Sequence, residues 1–257
     1  MDNSKQLLKS NAIWLVFILE VIIFAVASKG AFVSGGNIIN ISRQVSYYGI
    51  ASIGMTFVIL IAGIDLSIGS IITLVNVICA FMMVNMGLNM WVAILISLIV
   101  ATAIGLLNGS MVSRIGIPAL IATFSTQTIF EGVAYLISGG RPISGLPAAF
   151  SIFGRDTIGP IPICAIIMIL CFALGSFILN KTFFGRYFYA VGGNEKATRL
   201  SGINTNKVYF LAYMNMGFLA ALAGMITIAR MTSAQPTYGQ NYEMDAIASC
   251  FIGGASA

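Results

Sequence analysis

Gly63-Ile64-Asp65-Leu66-Ser67-Ile68-Gly69-Ser70 lies between two long apolar runs, residues 45–62 before it and 68–86 after it. A carboxylate, two hydroxyls and the glycines Gly63 and Gly69 are hard to explain as filler in so apolar a stretch. An Asp near the centre of a membrane helix costs about 2.5–3.5 kcal/mol on insertion scales. Such a residue persists where the backbone breaks, caps a helix or lines a wet cavity. The octet therefore reads as an interruption between two spans, and the chain as a polytopic membrane protein.

Composition agrees. Charged residues make up 8% of the chain, against about 25% in soluble domains, too little to coat a water-facing surface. The mean hydropathy of +0.96 points the same way. The net charge of +5 comes from basic residues scattered between spans or gathered in one loop. With no arginine-rich face or RNA-binding motif, no nucleic-acid partner is expected. There is no histidine, and the four cysteines, Cys79, Cys164, Cys171 and Cys250, sit in apolar sequence without a C-x-x-C pair. The commonest metal ligand and general base are thus missing, and the thiols read as buried and inert. Lys5 and Lys9 precede an apolar run over 12–27 that imitates a signal peptide. Its length and Glu20 favour an uncleaved first span.

About 20 apolar residues cross a bilayer as a helix. On that ruler seven spans are expected, over residues 12–28, 45–62, 68–86, 90–112, 117–138, 161–179 and 208–231. An eighth apolar segment starts near Ala246. The expected fold is an all-α, polytopic helical bundle forming a single transmembrane domain over residues 1–257. The sequence stops part-way into the eighth segment, so the chain reads as cut short. With the N-terminus inside, eight basic residues (Lys5, Lys9, Arg114, Lys181, Arg186, Lys196, Arg199, Lys207) fall on the cytoplasmic side. Five (Lys29, Arg43, Arg141, Arg155, Arg230) fall outside. This bias supports a cytoplasmic N-terminus.

In the loop over 180–207, the stretch from Asn194 to Gly202 reads as a miniature helix. Asn194 suits the N-cap, Glu195 the positive end, and Gly202 the left-handed position after the last turn. Glu195 and Arg199, four apart, can pair. Ala197 and Leu200 form a narrow apolar edge of the kind that enters a partner's groove. A surface helix that merely ties two spans together fits the composition equally well. The chain has no G-x-x-x-x-G-K-[ST] phosphate loop, so any nucleotide chemistry sits on another chain.

The interruption closely resembles the signature of the ribose-type ABC transporter permeases. So do Gly139-Gly140-Arg141-Pro142-Ile143, the stretch from Gly192 to Ile203, Ser233-Ala234-Gln235-Pro236, and the stretch from Gly239 to Ile247. These five blocks occur in the family's order and cover most of the chain from Val45 onward. The resemblance implies a permease subunit of a bacterial inner-membrane importer for a monosaccharide. Two permease subunits would form the channel, cytoplasmic ATP-binding subunits would drive it, and an external solute-binding protein would feed it. Members of this family carry further spans after the block ending in Gly253-Gly254. No cofactor is implied for this chain, since ATP is used by the partner subunits, and no bond chemistry is expected. The miniature helix, with Gly193, Asn194, Glu195, Ala197, Arg199, Leu200 and Gly202, resembles the element that couples such permeases to their ATPase.

For the pathway, Thr123, Gln127 and Glu131 recur every four residues and share one face of span five, with Ser125, Thr126 and Thr128 nearby. Asn76, Asn108 and Asn215 on other spans are further candidates. Interhelical hydrogen bonding accounts for each of these residues taken singly. Asp65 either caps span three, with Ser67 as helper, or shapes a gate. On the outside, Arg141, Arg155, Glu243 and Asp245 offer charges to a docking protein, although Asp245 or Asn241 equally suits a helix cap. Tyr47, Tyr48, Trp14 and Trp91 fall near span ends, where interfacial anchoring suffices. An ion-gradient transporter using Asp65 or Glu131 as its proton-responsive group is the competing reading. The lack of an evident inverted repeat weighs against it.

Overall fold

A computed structural model describes residues 12–255. Lys5 and Lys9 lie outside the described residues, as does the end of the eighth apolar segment. The chain divides into two units, Met1–Ser42 and Arg43–Ala257.

The N-terminal unit contains α1 (Ala12–Ala27), whose Trp14, Phe17 and Phe24 are all exposed. Lys29 and Gly30 take positive φ angles, and a short 3-10 turn over Ala31–Val33 follows. Phe32 folds back onto Phe24, ring centroids 5.5 Å apart, and its N–H donates to the Ser28 hydroxyl. Helix α2 (Gly35–Ile59) starts in this unit.

The second unit holds the rest of α2, then α3 (Ile68–Val84), α4 (Met90–Ser110, prolonged by a π-turn over Met111–Ile115) and α5 (Ala119–Ser138). It continues with α6 (Ile163–Lys181), α7 (Phe183–Gly193), α8 (Glu195–Leu200), α9 (Thr205–Met231) and α10 (Tyr242–Ile252). Every expected span is a helix, and the eighth apolar segment forms α10. Among the described residues, four of the seven expected spans, the stretches Met90–Ile115, α5, α6 and α9, are long and apolar enough to cross a membrane by length and composition. The α1 and α3 helices are shorter and apolar. This is an all-α helical membrane protein.

The loop expected over 180–207 holds a second helix, α7. Gly185, Phe188 and Val191 are buried along one side of it, a three-residue spacing that was available in the sequence beneath the nearby polar residues.

Helix α3 runs through the middle of the second unit, with Ile68, Ile71, Ile72, Val75 and Val77 wholly buried. Lipid tails are as apolar as these side chains, so close packing rather than water exclusion joins the helices. Small residues permit it between α4 and α9. A Cβ on Gly105 would strike the carbonyl of Tyr213, and one on Gly217 the carbonyl of Ala101.

β1 (Ile143–Ser144) pairs antiparallel with β4 (Ser233–Ala234), and β2 (Thr157–Ile158) pairs antiparallel with β3 (Ile161–Pro162). The first ladder joins two of the sequence blocks, Gly139–Ile143 and Ser233–Pro236. Tyr47 departs from the interfacial role expected of it. It is 4% exposed, and its hydroxyl accepts a 3.0 Å hydrogen bond from Arg230 on α9. A polar partner elsewhere in the bundle draws it inward, whereas Trp14 and Trp91 stay exposed.

Candidate functional site

Helix α2 stops because Ala62 turns left-handed, with φ 56, which lets the Gly63 N–H reach back to the Val58 carbonyl at 3.0 Å. This is the Schellman closure, with Ala where Gly is usual. The chain then runs without helix until Ser67. The Asp65 carboxylate accepts from the Ser67 N–H at 2.8 Å and from the Ser67 hydroxyl at 2.6 Å. Asp65 thereby closes an Asx-turn into α3, and its negative charge lies by the positive end of that helix. Ser67 occupies the N-cap position, but its side chain turns to Asp65 instead of capping. The Ser70 hydroxyl donates to the Ser67 carbonyl at 2.8 Å.

Two neighbouring helices reach into this break. On α4, Asn108 donates to the Ser67 hydroxyl at 2.8 Å. On α5, Thr123 accepts from the Leu66 N–H at 3.1 Å while donating to its own helix at Ala119. Asp65, Ser67, Asn108 and Thr123 are all 0% exposed. Asn76 also joins helices: its amide, oriented to satisfy it, donates to the carbonyls of Gly224 on α9 and Ile72. Asn215 is half-buried, and its amide nitrogen has no partner among the described residues.

A second interruption faces the first. Helix α9 ends where Thr232 takes φ 56, and α10 begins after Asn241 at φ 68. Asn241 stands at the N-cap without a capping side-chain bond. Between them the chain dips to α3, where the Gly239 N–H donates to the Thr73 hydroxyl at 2.9 Å. Gly69 and Gly239 meet backbone to backbone: a Cβ on Gly239 would strike the Gly69 carbonyl, and one on Gly69 the Gly239 carbonyl. Only glycine fits either position. Two blocks about 170 residues apart in the chain are therefore one structural junction.

Glu243 belongs to this junction rather than to the outer charges. It is 7% exposed, and a Cβ on Gly69 would come within 2.5 Å of its Oε2. The short loop before α10 carries it inward, and that oxygen has no partner among the described residues. Its carboxylate lies within electrostatic reach of Glu131 and Asp245 and close to the Gln127 amide. Gln127 in turn donates to Glu131 at 3.4 Å. Arg141, Arg155 and Asp245 are exposed.

At the opposite end, α8 has the expected form. The Asn194 carboxamide oxygen accepts from the Ala197 N–H at 2.9 Å, Glu195 pairs with Arg199 at 2.7 Å, and Gly202 has φ 84. Glu195 also accepts from Thr205 and Tyr209 of α9, each at 3.2 Å. Thr198 donates to the Ala190 carbonyl of α7 at 2.7 Å. One side of α8 is thus held by α7 and α9. The other presents Ala197 and Leu200, the latter 90% exposed. Gly192, at the end of α7, packs against the Leu60 carbonyl where α2 gives way to the break.

Two interrupted helices thus meet inside an apolar bundle. The family itself is shown by comparison with known proteins. Residues 37–257 match the model of the branched-chain amino acid transport system / permease component family, and the chain belongs to that family. It is 44% identical to the ribose import permease protein RbsC of Haemophilus influenzae, over 93% of this chain and 76% of that one. It is 42% identical to RbsC of Bacillus subtilis, over 94% of this chain and 74% of that protein. It is 35% identical to the fructose import permease protein FruF of Bifidobacterium longum, over 98% and 75% respectively. No solved structure matches the chain.

Proposed function

We propose that the chain is the permease subunit of an ATP-driven sugar importer in the cell's inner membrane, carrying a simple sugar such as ribose. The ribose and fructose permeases it is similar to support the cargo class. In this reading a second permease subunit completes the channel. Cytoplasmic ATP-binding subunits engage α8, and an external solute-binding protein docks near Arg141, Arg155 and Asp245. The N-terminus is cytoplasmic, which puts the basic α7–α8 segment on the ATPase side.

The observation that carries the reading is the two-sided character of α8. Its inner side is bonded to α7 and α9 through Thr198 and Glu195, and its outer side presents Leu200 at 90% exposure. A force applied at Leu200 reaches the break by two routes. One runs through α7 and Gly192 to Leu60; the other runs up α9 from Tyr209 to Tyr213, whose hydroxyl lies against Gly63. For the pathway, the hydroxyl and amide groups of the α5 face serve a sugar best. Gln127 and Glu131 are partly exposed, with Glu243 beside them, and these groups exchange hydrogen bonds with sugar hydroxyls. Asp65, Asn108, Asn76 and Thr123 hold the neighbouring helices in register and shape the gate from behind.

The test is Leu200→Asp in the importer reconstituted with its ATPase and binding protein. A charge at a central docking residue costs about 2 kcal/mol or more. Sugar-stimulated ATP hydrolysis and uptake should therefore fall about thirtyfold while the purified permease keeps its thermal stability. Unchanged turnover would count against α8 as the coupling element.

A further inference from the structure

One flank of α7 carries an exposed aromatic cluster. Phe183 is 49% and Phe184 40% exposed. Their ring centroids stand 4.1 Å apart, and Phe183 meets the half-buried Tyr187 edge-on at 5.8 Å. Lys181 and Arg186, close by in the chain, are both exposed, and neither has an ion-pair partner among the described residues. Arg186 follows Phe183 by three residues and so shares its face of the helix. The inner side of α7 is already taken. Phe188 packs edge-on against Phe57 of α2 at 5.3 Å, and a Cβ on Gly185 would strike the Leu179 backbone of α6. Held in this way, the aromatic flank faces outward and needs a partner that this chain does not supply.

Position decides what that partner is. Of the four stretches able to cross a membrane, α6 is the least buried, and it ends at Lys181. Its 19 residues rise about 29 Å at about 1.5 Å each, which matches the hydrocarbon thickness and leaves no surplus to carry α7 clear of the lipid. Thr182 alone separates the two helices, and its hydroxyl donates to the Ile178 carbonyl at 2.6 Å. Consecutive Cα atoms are about 3.8 Å apart, so Phe183 stands within about 8 Å of the end of α6. The headgroup layer is roughly 5–8 Å deep on each side of the hydrocarbon. The cluster therefore lies among the headgroups, whichever way the chain is oriented. Aromatic rings are favoured at that depth, and Lys or Arg there attracts the phosphate of anionic lipids.

We propose that the elbow between α6 and α7 binds an anionic phospholipid of the surrounding membrane. Lys181 and Arg186 hold its phosphate, and Phe183, Phe184 and Tyr187 pack on its glycerol and upper acyl chains. The claim requires only that α6 spans the bilayer; the cargo, the ATPase and the orientation do not enter. The full-chain permease is given one tryptophan, by Phe184→Trp with Trp14→Phe and Trp91→Phe. It is placed in phosphatidylcholine bilayers that contain brominated phosphatidylglycerol or brominated phosphatidylcholine, since bromine quenches a ring it touches. Phosphatidylglycerol should win the site about twenty-five-fold over phosphatidylcholine, about fivefold for each basic residue. Lys181→Gln with Arg186→Gln should bring that ratio close to one while leaving quenching by phosphatidylcholine in place. If the single-tryptophan chain fails to fold, phosphatidylglycerol retained in native mass spectrometry, by the wild-type chain against the two-glutamine variant, decides instead. Equal quenching by the two lipids overturns the proposal, as does a preference that survives the glutamine pair. Absence of quenching by either lipid also overturns it, and quenching lost on adding the ATP-binding subunits overturns it and assigns the flank to them.

Discussion

Gly239 has no room for a side chain, and the obstacle is backbone rather than a movable side chain. A methyl group there meets the Gly69 carbonyl and the Thr73 hydroxyl that accepts from its own N–H. Gly239→Ala should therefore push the loop off α3 and destabilise the permease by about 3 kcal/mol, at the upper end of overpacking costs. Thermal unfolding in nanodiscs checks this, and a variant as stable as wild type would mean that the two interruptions do not touch. Asp65 and Glu243 show what sequence does and does not disclose at this scale. Of the two uses the sequence left open for Asp65, cap or gate, its bonds to Ser67 bear out service at the start of α3. That Glu243 turns inward was not legible. Its neighbours Asn241 and Asp245 are exposed, and only the contact with Gly69 on a distant helix separates it from them. Ala62 likewise gave no sign of its left-handed conformation, since Ala carries no preference for it.

Among the elements, α8 is held by Glu195 more than by its own length. Six residues make fewer than two turns, too few to persist alone in water. The helix stands because Glu195 gathers bonds from Arg199, Thr205 and Tyr209. Half of this was readable: the Asn194 cap and the Glu195–Arg199 spacing are local. The bonds to α9 are not, because they join residues across a turn whose path the sequence does not specify. Glu195→Gln keeps the shape and removes the charge, weakening charge-assisted bonds about twofold in strength. It should loosen α8 from α9 while leaving the membrane helices intact. Hydrogen exchange should then accelerate about tenfold over residues 195–203, equivalent to about 1.4 kcal/mol of lost local stability, with no change in α4 or α9. Unaltered exchange would show that Thr198 and the cap hold the helix without Glu195.

Across the whole molecule, blocks that are separate in sequence come together in two places. The Gly63–Ser70 and Gly239–Ile247 blocks meet inside at Gly69, and the Arg141 and Ser233 blocks pair as β1 and β4. The fifth block, around α8, packs through Gly192 against Leu60, in the turn just before the first block. Apolar run lengths were enough to find the helices, of which four among the described residues are long and apolar enough to cross a membrane. They say nothing of which run lies beside which, so the junction became visible only in three dimensions. The family relationship supplies the transport role, and in the proposed reading the contacts of α8 with α7 and α9 form the route by which ATPase movement reaches the break. The most direct test of that route is hydrogen exchange at residues 60–67 in the reconstituted importer, with and without a non-hydrolysable ATP analogue. Exchange there should change when nucleotide binds the wild-type complex and stay constant in Leu200→Asp; an equal change in both, or none in either, would contradict transmission from α8 to the break.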